Sequence, residues 1–299
     1  MRAIRTWYGR LRRGERLALI VLAVIYAAAI LSPVIAPYPP AQQLDIVALK
    51  NHAPSLAHPF GTDRFSRDLL SRVLFGTLIS LSVATLAVMV SAIVGTLYGL
   101  VAAAFGRVAD VLLMRMLDGL MSIPRVLLLI AILALWDPVP LWMLVVLLGV
   151  TGWFEVARLV RAEAMAARER DYVAAARSLG AGRTRIMLRH LLPNVLGPVI
   201  VTTAINVGNV IVLEAGLSFI GIGAREPAAS LGTMFQDGTE AFAGTWWGAL
   251  FPGVVLVTIV LCVNVVGDAL RASLDPRQLP AVRLGTRTAD SRPVPATVE

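Results

Sequence analysis

The chain has 299 residues, 57% of them hydrophobic and 15% charged, with a mean hydropathy of +0.75. So much apolar surface cannot be hidden in one water-soluble core, which excludes an ordinary soluble enzyme or binding domain and makes a bilayer the expected solvent. The formal charge of +8 comes from 26 arginines and Lys50 against 19 acidic residues; it alternates with apolar runs, which points to membrane topology and away from nucleic acid.

Residues 1–16 form a basic N-terminus carrying Arg2, Arg5, Arg10, Arg12, Arg13 and Arg16. Leu17 to Ala36 follows and is long enough for a first transmembrane helix. A cleaved signal peptide fits poorly, because the apolar region is long and no small-x-small site precedes Pro37. Residues 37–72 are polar and proline-marked and read as an extracytoplasmic loop. His52 and His58 within it invite a metal reading, but two histidines without a third ligand at a sensible spacing are loop residues, so no metal site is expected. Gly61-Thr62-Asp63 is expected to cap and orient the next helix.

Five further spans are expected in a domain covering 73–277. The second runs from Leu78 to Ala104, and its Gly95 and Gly99, four apart, allow close helix packing. The third, Val108 to Trp136, starts in the inner interface, kinks near Pro124 and exits at Asp137; Arg115 and Asp118 share one face and are expected to pair structurally, the alternative being a mark of the transport pathway. The fourth is Pro140 to Val156. The fifth, Val195 to Leu213, carries Asn206 and Asn209 on one face, either lining a path or holding helices together. Glu214 to Trp246 reads as a second outer loop, with an interfacial or re-entrant turn at Leu217 to Gly223 and Trp246 and Trp247 as interface anchors. The sixth, Leu250 to Val266, contains Asn264 and the single cysteine, Cys262, read as a small packing residue. Residues 278–299 read as a disordered cytoplasmic tail.

Between spans four and five, residues 158–194 carry eight arginines from Arg158 to Arg189. That concentration places the loop, and with it both termini, inside. Tyr172 to Asn194 reads YVAAARSLGAGRTRIMLRHLLPN. Val173, Ala176 and Leu179 recur at helical spacing with Arg177 on another face. Gly180 stands where such a helix stops. A second short helix is expected from Arg183 to Leu192, ended by Pro193.

This stretch resembles the EAA loop of permease subunits of bacterial ABC importers. The triplet is Ala174-Ala175-Ala176, the glycine is Gly180, and Leu192-Pro193 closes the pattern. Ala174 replaces the family's glutamate, and His190 stands where the wider family prefers isoleucine. Three other groups resemble the dipeptide/oligopeptide/nickel branch: His58-Pro59-Phe60-Gly61-Thr62-Asp63 with Arg67-Asp68; Glu214-Ala215-Gly216-Leu217-Ser218-Phe219 with Gly221, Gly223 and a later Gly232-Thr233-Met234; and Asn264, Gly267-Asp268 and Leu274-Asp275-Pro276-Arg277.

The resemblance implies an all-α integral membrane protein of six transmembrane helices in the bacterial inner membrane. It implies a channel-forming subunit of an ATP-driven importer, for dipeptides or oligopeptides or alternatively nickel. Tyr172, Val173, Ala174, Ala175, Ala176, Arg177, Gly180, His190, Leu192 and Pro193 would then couple to an ATPase. The partners implied are a second permease, two ATPase subunits that bind ATP and Mg, and an extracytoplasmic solute-binding protein. The chain has no Gly-x-x-x-x-Gly-Lys-[Ser/Thr] phosphate loop, so ATP hydrolysis is not expected of it. A secondary transporter would show mid-membrane ion pairs and an internal repeat, and a membrane-embedded enzyme a cluster of His, Asp or Cys; neither pattern is present.

Overall fold

The computed structural model describes residues 11–136, 138–224, 228–240 and 245–274. The expectations placed on Arg2, Arg5 and Arg10 of the basic N-terminus, on Asp137, on Asp275-Pro276-Arg277 and on the tail 278–299 fall outside these residues. Every regular element among the described residues is helical.

The chain opens with α1 (Arg13–Ile30), where the Glu15 carboxylate accepts from the Arg12 N–H at 2.7 Å. The apolar run expected to continue to Ala36 is interrupted at Leu31 and resumes as α2 (Ser32–Ile35). Pro33 has no N–H to continue the ladder, and it sits in the first turn of α2, where that loss matters least. The Tyr26 hydroxyl lies 3.3 Å from that of Thr85, tying α1 to the next long helix.

That helix, α3 (Leu69–Ala104), starts at Leu69, well before the expected Leu78. Its cap is Asp68, whose carboxylate accepts from the Ser71 N–H at 2.8 Å; Gly61-Thr62-Asp63 is not the cap. The expected outer loop runs to Arg72, which carries a charge. Inside the fold that charge is paired with Asp63 and buried, so the helix continues through it.

α3 packs most extensively against α6 (Leu141–Arg168). Gly95 and Gly99 make the approach possible: a Cβ on Gly95 would lie 2.7 Å from the Trp153 carbonyl, and one on Gly99 2.5 Å from the Ala157 carbonyl. Neither helix could come as near with any larger residue there.

Between them run α4 (Arg107–Met121) and α5 (Arg125–Leu133), bent by 68° at a break containing Pro124. The expected Arg115–Asp118 pair does not form. Asp118 instead takes Arg158 of α6 at 2.5 Å, and Asp110 takes Arg161 in a two-pronged contact. These pairs let α6 run on to Arg168, past the expected Val156.

After α6 come α7 (Asp171–Ser178), α8 (Arg183–Ile186), a π-helical turn (Met187–Leu191) and α9 (Leu192–Phe219). Pro193 does not end a helix here. It lies in the first turn of α9, and Arg183–Phe219 is one continuous 37-residue run. The wider π turn before it relieves the clash and lost hydrogen bond a proline imposes on regular α-helix. α9 also overruns its expected end at Leu213, so Glu214 lies in a helix and not in a loop. α10 (Leu231–Glu240) folds back against α9 and α11 (Trp246–Leu274). Trp246 is exposed, but Trp247 is buried and donates its indole N–H to the Thr62 carbonyl at 3.2 Å. It therefore anchors protein to protein, not protein to the interface.

By length and composition α3, α6, the α8–α9 run and α11 can each cross a membrane, and α4 with α5 adds a fifth crossing if the bent pair counts as one. The 18 residues of α1 include Arg13, Glu15 and Arg16, which shorten its apolar stretch.

Candidate functional site

The hairpin α7–α8 is built from a short helix that cannot stand alone. Eight residues are too few for a stable isolated helix, so its ends and one face must be held. At its C-terminus Gly180 has φ +82°. The Gly180 N–H donates to the Arg177 carbonyl at 3.0 Å and the Ala181 N–H to the Ala176 carbonyl at 3.1 Å. This is the paired closure of a Schellman motif, on the glycine that the sequence singled out. At the other end Asp171 places a negative charge in the first turn, which the helix dipole favours.

Two buried side chains fasten the hairpin to the membrane helices, Val173 of α7 and Ile186 of α8. Val173 is fully buried in an apolar cluster with Leu100 and Ala103 of α3, Val156 and Val160 of α6, and Leu191 and Val195 at the start of α9. The expected Val173–Ala176–Leu179 face is only partly realised. The helix ends at Ser178, so Leu179 leaves that face and is 89% exposed. Ala176 is half-buried, while Tyr172, Ala174, Ala175 and Arg177 are exposed. The outward surface is thus two alanines flanked by Tyr172 and Leu179: shallow, apolar and rimmed by arginines.

His190 comes back to this helix, its ring centroid 6.2 Å from that of Tyr172. Leu192 is half-buried and Pro193 exposed. All ten residues marked by the motif therefore belong to one projecting hairpin and its junction with α9.

Asn206 and Asn209 do share a face of α9, and the Asn209 amide donates to the Asn206 carbonyl oxygen at 3.3 Å. That bond runs along one helix and does not join two helices. Asn264 on α11 faces the same helix, its Oδ1 3.2 Å from where a Cβ on Gly208 would stand. Asn209 and Asn264 are exposed, so the three amides form a polar strip on the outward side of α9 and α11.

At the other end of the molecule two polar clusters hold the loops. Asp63 receives Arg67 (2.7 Å) and Arg72, while Arg64 reaches Asp237 (3.1 Å) and Glu240 (2.9 Å) on α10. His58 bonds Asp68 through Nδ1 at 3.0 Å, and His52 Nδ1 faces the Ala53 carbonyl at 2.9 Å. The two imidazoles serve separate local contacts. No group of three or more His, Cys, Asp or Glu side chains suited to a metal ion occurs among the described residues.

Two residues escaped sequence reasoning. Glu214 is completely buried; its carboxyl accepts from Ser218 at 2.7 Å and Ser80 at 3.2 Å, and Ser80 in turn accepts the Leu231 N–H at 3.2 Å. It therefore links α3, α9 and the start of α10. Arg125 at the start of α5 donates to Thr151 Oγ1 at 3.1 Å and the Leu148 carbonyl at 2.9 Å of α6, pinning the bent pair to α6. Each showed as a charge beside an apolar run, and Glu214 also as part of a branch motif, but neither signal names a partner.

Residues 95–279 match the family described as the inner membrane component of binding-protein-dependent transport systems. Residues 13–54 match the N-terminal transmembrane domain of oligopeptide transport permease C. A protein of Brucella suis biovar 1 named as a peptide transport system permease is 42% identical over 268 residues, covering 89% of this chain and 88% of the relative. A peptide permease protein of Brucella ovis is 38% identical over 267 residues, covering 89% and 87%. The dipeptide transport system permease protein of Haemophilus influenzae is 35% identical over 275 residues, covering 91% and 93%. With the matched region spanning more than half of the chain, this protein belongs to the family of inner membrane components of binding-protein-dependent transport systems.

Proposed function

We propose that this chain is the channel-forming subunit of an ATP-driven peptide importer, crossing the membrane six times with both termini in the cytoplasm. The peptide assignment follows the names of its relatives, which favour dipeptides or oligopeptides over nickel. In this reading α1 and α2 make the first crossing, α4 with α5 the third, and residues 158–194 face the cytoplasm. A second permease, two ATPase subunits holding ATP and Mg, and an extracytoplasmic binding protein complete the transporter. The strip of Asn206, Asn209 and Asn264 faces the translocation path.

The observation that carries the proposal is the shape of the α7 hairpin. Its outer side is a small-residue surface that fits a groove. Its inner side is Val173 with Ile186, buried in a cluster shared by α3, α6 and α9. Nucleotide-driven closure of the ATPases moves α7, and the Val173 cluster passes that displacement to three spans at once. Packed interiors resist local deformation, so the spans move as bodies and the polar strip changes the side to which it opens. Coupling of this kind needs two global states, biased by nucleotide on one side and by loaded binding protein on the other.

The test is site-directed crosslinking in a Cys262→Ser background. Ala175→Cys should crosslink to an ATPase subunit in the assembled complex, and Val173→Cys, on the buried side, should not. Failure of Ala175→Cys to crosslink in a complex that still transports would remove α7 from the ATPase contact.

A further inference from the structure

Beside α7, bordered by its exposed Ala174 and Arg177, opens a cavity of about 680 Å³ that the end of α3, the start of α4 and the end of α6 also line. Arg107, Arg168 and Arg177 line it, together with Asp110 and Glu169. The two signs do not cancel. Asp110 is already occupied by both prongs of Arg161, so among these five side chains only Glu169 stands against three guanidiniums.

Of the three, Arg168 spends one N–H on the Ala103 carbonyl and keeps the rest of its five donors. Arg107 and Arg177 make no side-chain hydrogen bond or ion pair with any described residue. Arginines converging on a cavity without an acceptor are the arrangement that phosphate oxygens satisfy, because the planar fork matches them two at a time. The start of α4 adds unpaired backbone N–H groups and the positive end of a 15-residue helix.

The surroundings indicate which phosphate. Val111 and Met165 also line the cavity. Just outside it on α4, Val108 is 83% and Leu112 69% exposed. A charged pocket opening beside an exposed apolar helix face matches a headgroup with its acyl chains better than a freely soluble ion.

We propose that this cavity binds the phosphate group of an anionic phospholipid, held by Arg107, Arg168 and Arg177. The lipid ties α7 to the elbow between α3 and α4, so the bilayer becomes part of the seat on which the coupling hairpin rests. The assignment goes beyond the transport reading above and borrows from it the orientation that puts α7 at the cytoplasmic surface and the complex in which the site is tested.

The test is thermal melting of the delipidated full complex in detergent. Phosphatidylglycerol, phosphatidylcholine or inorganic phosphate is added, and the half-saturating concentration is read from the shift. The assay needs neither substrate nor nucleotide, so it stands or falls separately from the transport assignment. Phosphatidylglycerol should stabilise and phosphatidylcholine should not. Arg107→Gln with Arg177→Gln should weaken the phosphatidylglycerol response about thirtyfold. Arg115→Gln with Arg185→Gln removes the same charge elsewhere on the same surface and should change it less than about threefold, as expected for a screened surface charge. Inorganic phosphate that matches phosphatidylglycerol, and is lost with the same pair, would keep the phosphate site but make its source soluble. Equal loss from both pairs, or stabilisation by phosphatidylcholine as strong as by phosphatidylglycerol, would overturn the site.

Discussion

Gly180→Val isolates the end of α7 from everything around it. No atom lies within 4 Å of a Cβ added at Gly180, so the substitution causes no clash. Its whole cost is conformational: an L-residue held at φ +82° loses roughly 1–2 kcal/mol, and a β-branched one sits at the upper end. To escape that cost the chain must open the Schellman closure and give up the bonds from Gly180 and Ala181. An eight-residue helix has little reserve, so α7 frays or swings while the membrane helices, held by far larger interfaces, stay intact. The variant should insert and accumulate normally yet transport at a small fraction of the wild-type rate, with substrate no longer stimulating ATP turnover. Gly180→Asn serves as a control, because asparagine accepts the left-handed region, and it should keep most of the activity. Gly149→Val is the opposite case. Its Cβ would lie 2.8 Å from that of Val90 and 3.0 Å from the Ala87 carbonyl, so it should lower expression through packing. The assay is transport and ATPase rate per assembled complex in liposomes with the binding protein present. Wild-type transport by Gly180→Val would refute the reasoning, leaving α7 as a surface loop between two spans.

Three further outcomes are expected. In a Cys262→Ser background, Leu56→Cys should react with an impermeant thiol reagent from outside and Ser178→Cys only after permeabilisation; the reverse pattern would invert the orientation. The chain purified away from all other proteins should hydrolyse no ATP, and turnover that survives complete removal of the ATPase subunits would sink the permease assignment. Asp63→Ala removes the carboxylate shared by Arg67 and Arg72, both 3% exposed, while Arg72 keeps a longer 3.7 Å contact to Asp237; it should cost about 3 kcal/mol, the low end for breaking a buried pair. It should be seen as a lowered melting temperature in detergent; an unchanged one would mean the pairs contribute nothing net.

The hairpin was legible because its determinants are local. Gly180 closes the helix over bonds that reach back only to Ala176, and Ala174 and Ala175 are exposed because nothing larger is needed there. The approach of α3 and α6 was half legible: Gly95 and Gly99 announced a close contact, but not that Trp153 and Ala157 would fill it. What could not be read were partners distant in sequence. Asp118 had a neighbour three residues away and took Arg158 instead. Glu214 looked like the first residue of an outer loop, since a carboxylate ends an apolar run; three serines from separate segments surround it and let the helix continue. Helix ends failed for the same reason at Leu69 and Arg168, where a charge that should stop a span had a partner that sequence distance hid.

The π turn at Met187–Leu191 holds one residue more per turn than the helix it interrupts. Its removal would advance everything on its N-terminal side by about 1.5 Å and turn it by about 100° relative to α9. Closing that turn would therefore reset the joint between the hairpin and its span by one discrete step. A pull on α7 would then be taken up as a slip of one notch and not as a bend, and the asparagine strip, about four to five turns further along α9, would face a new direction relative to the hairpin.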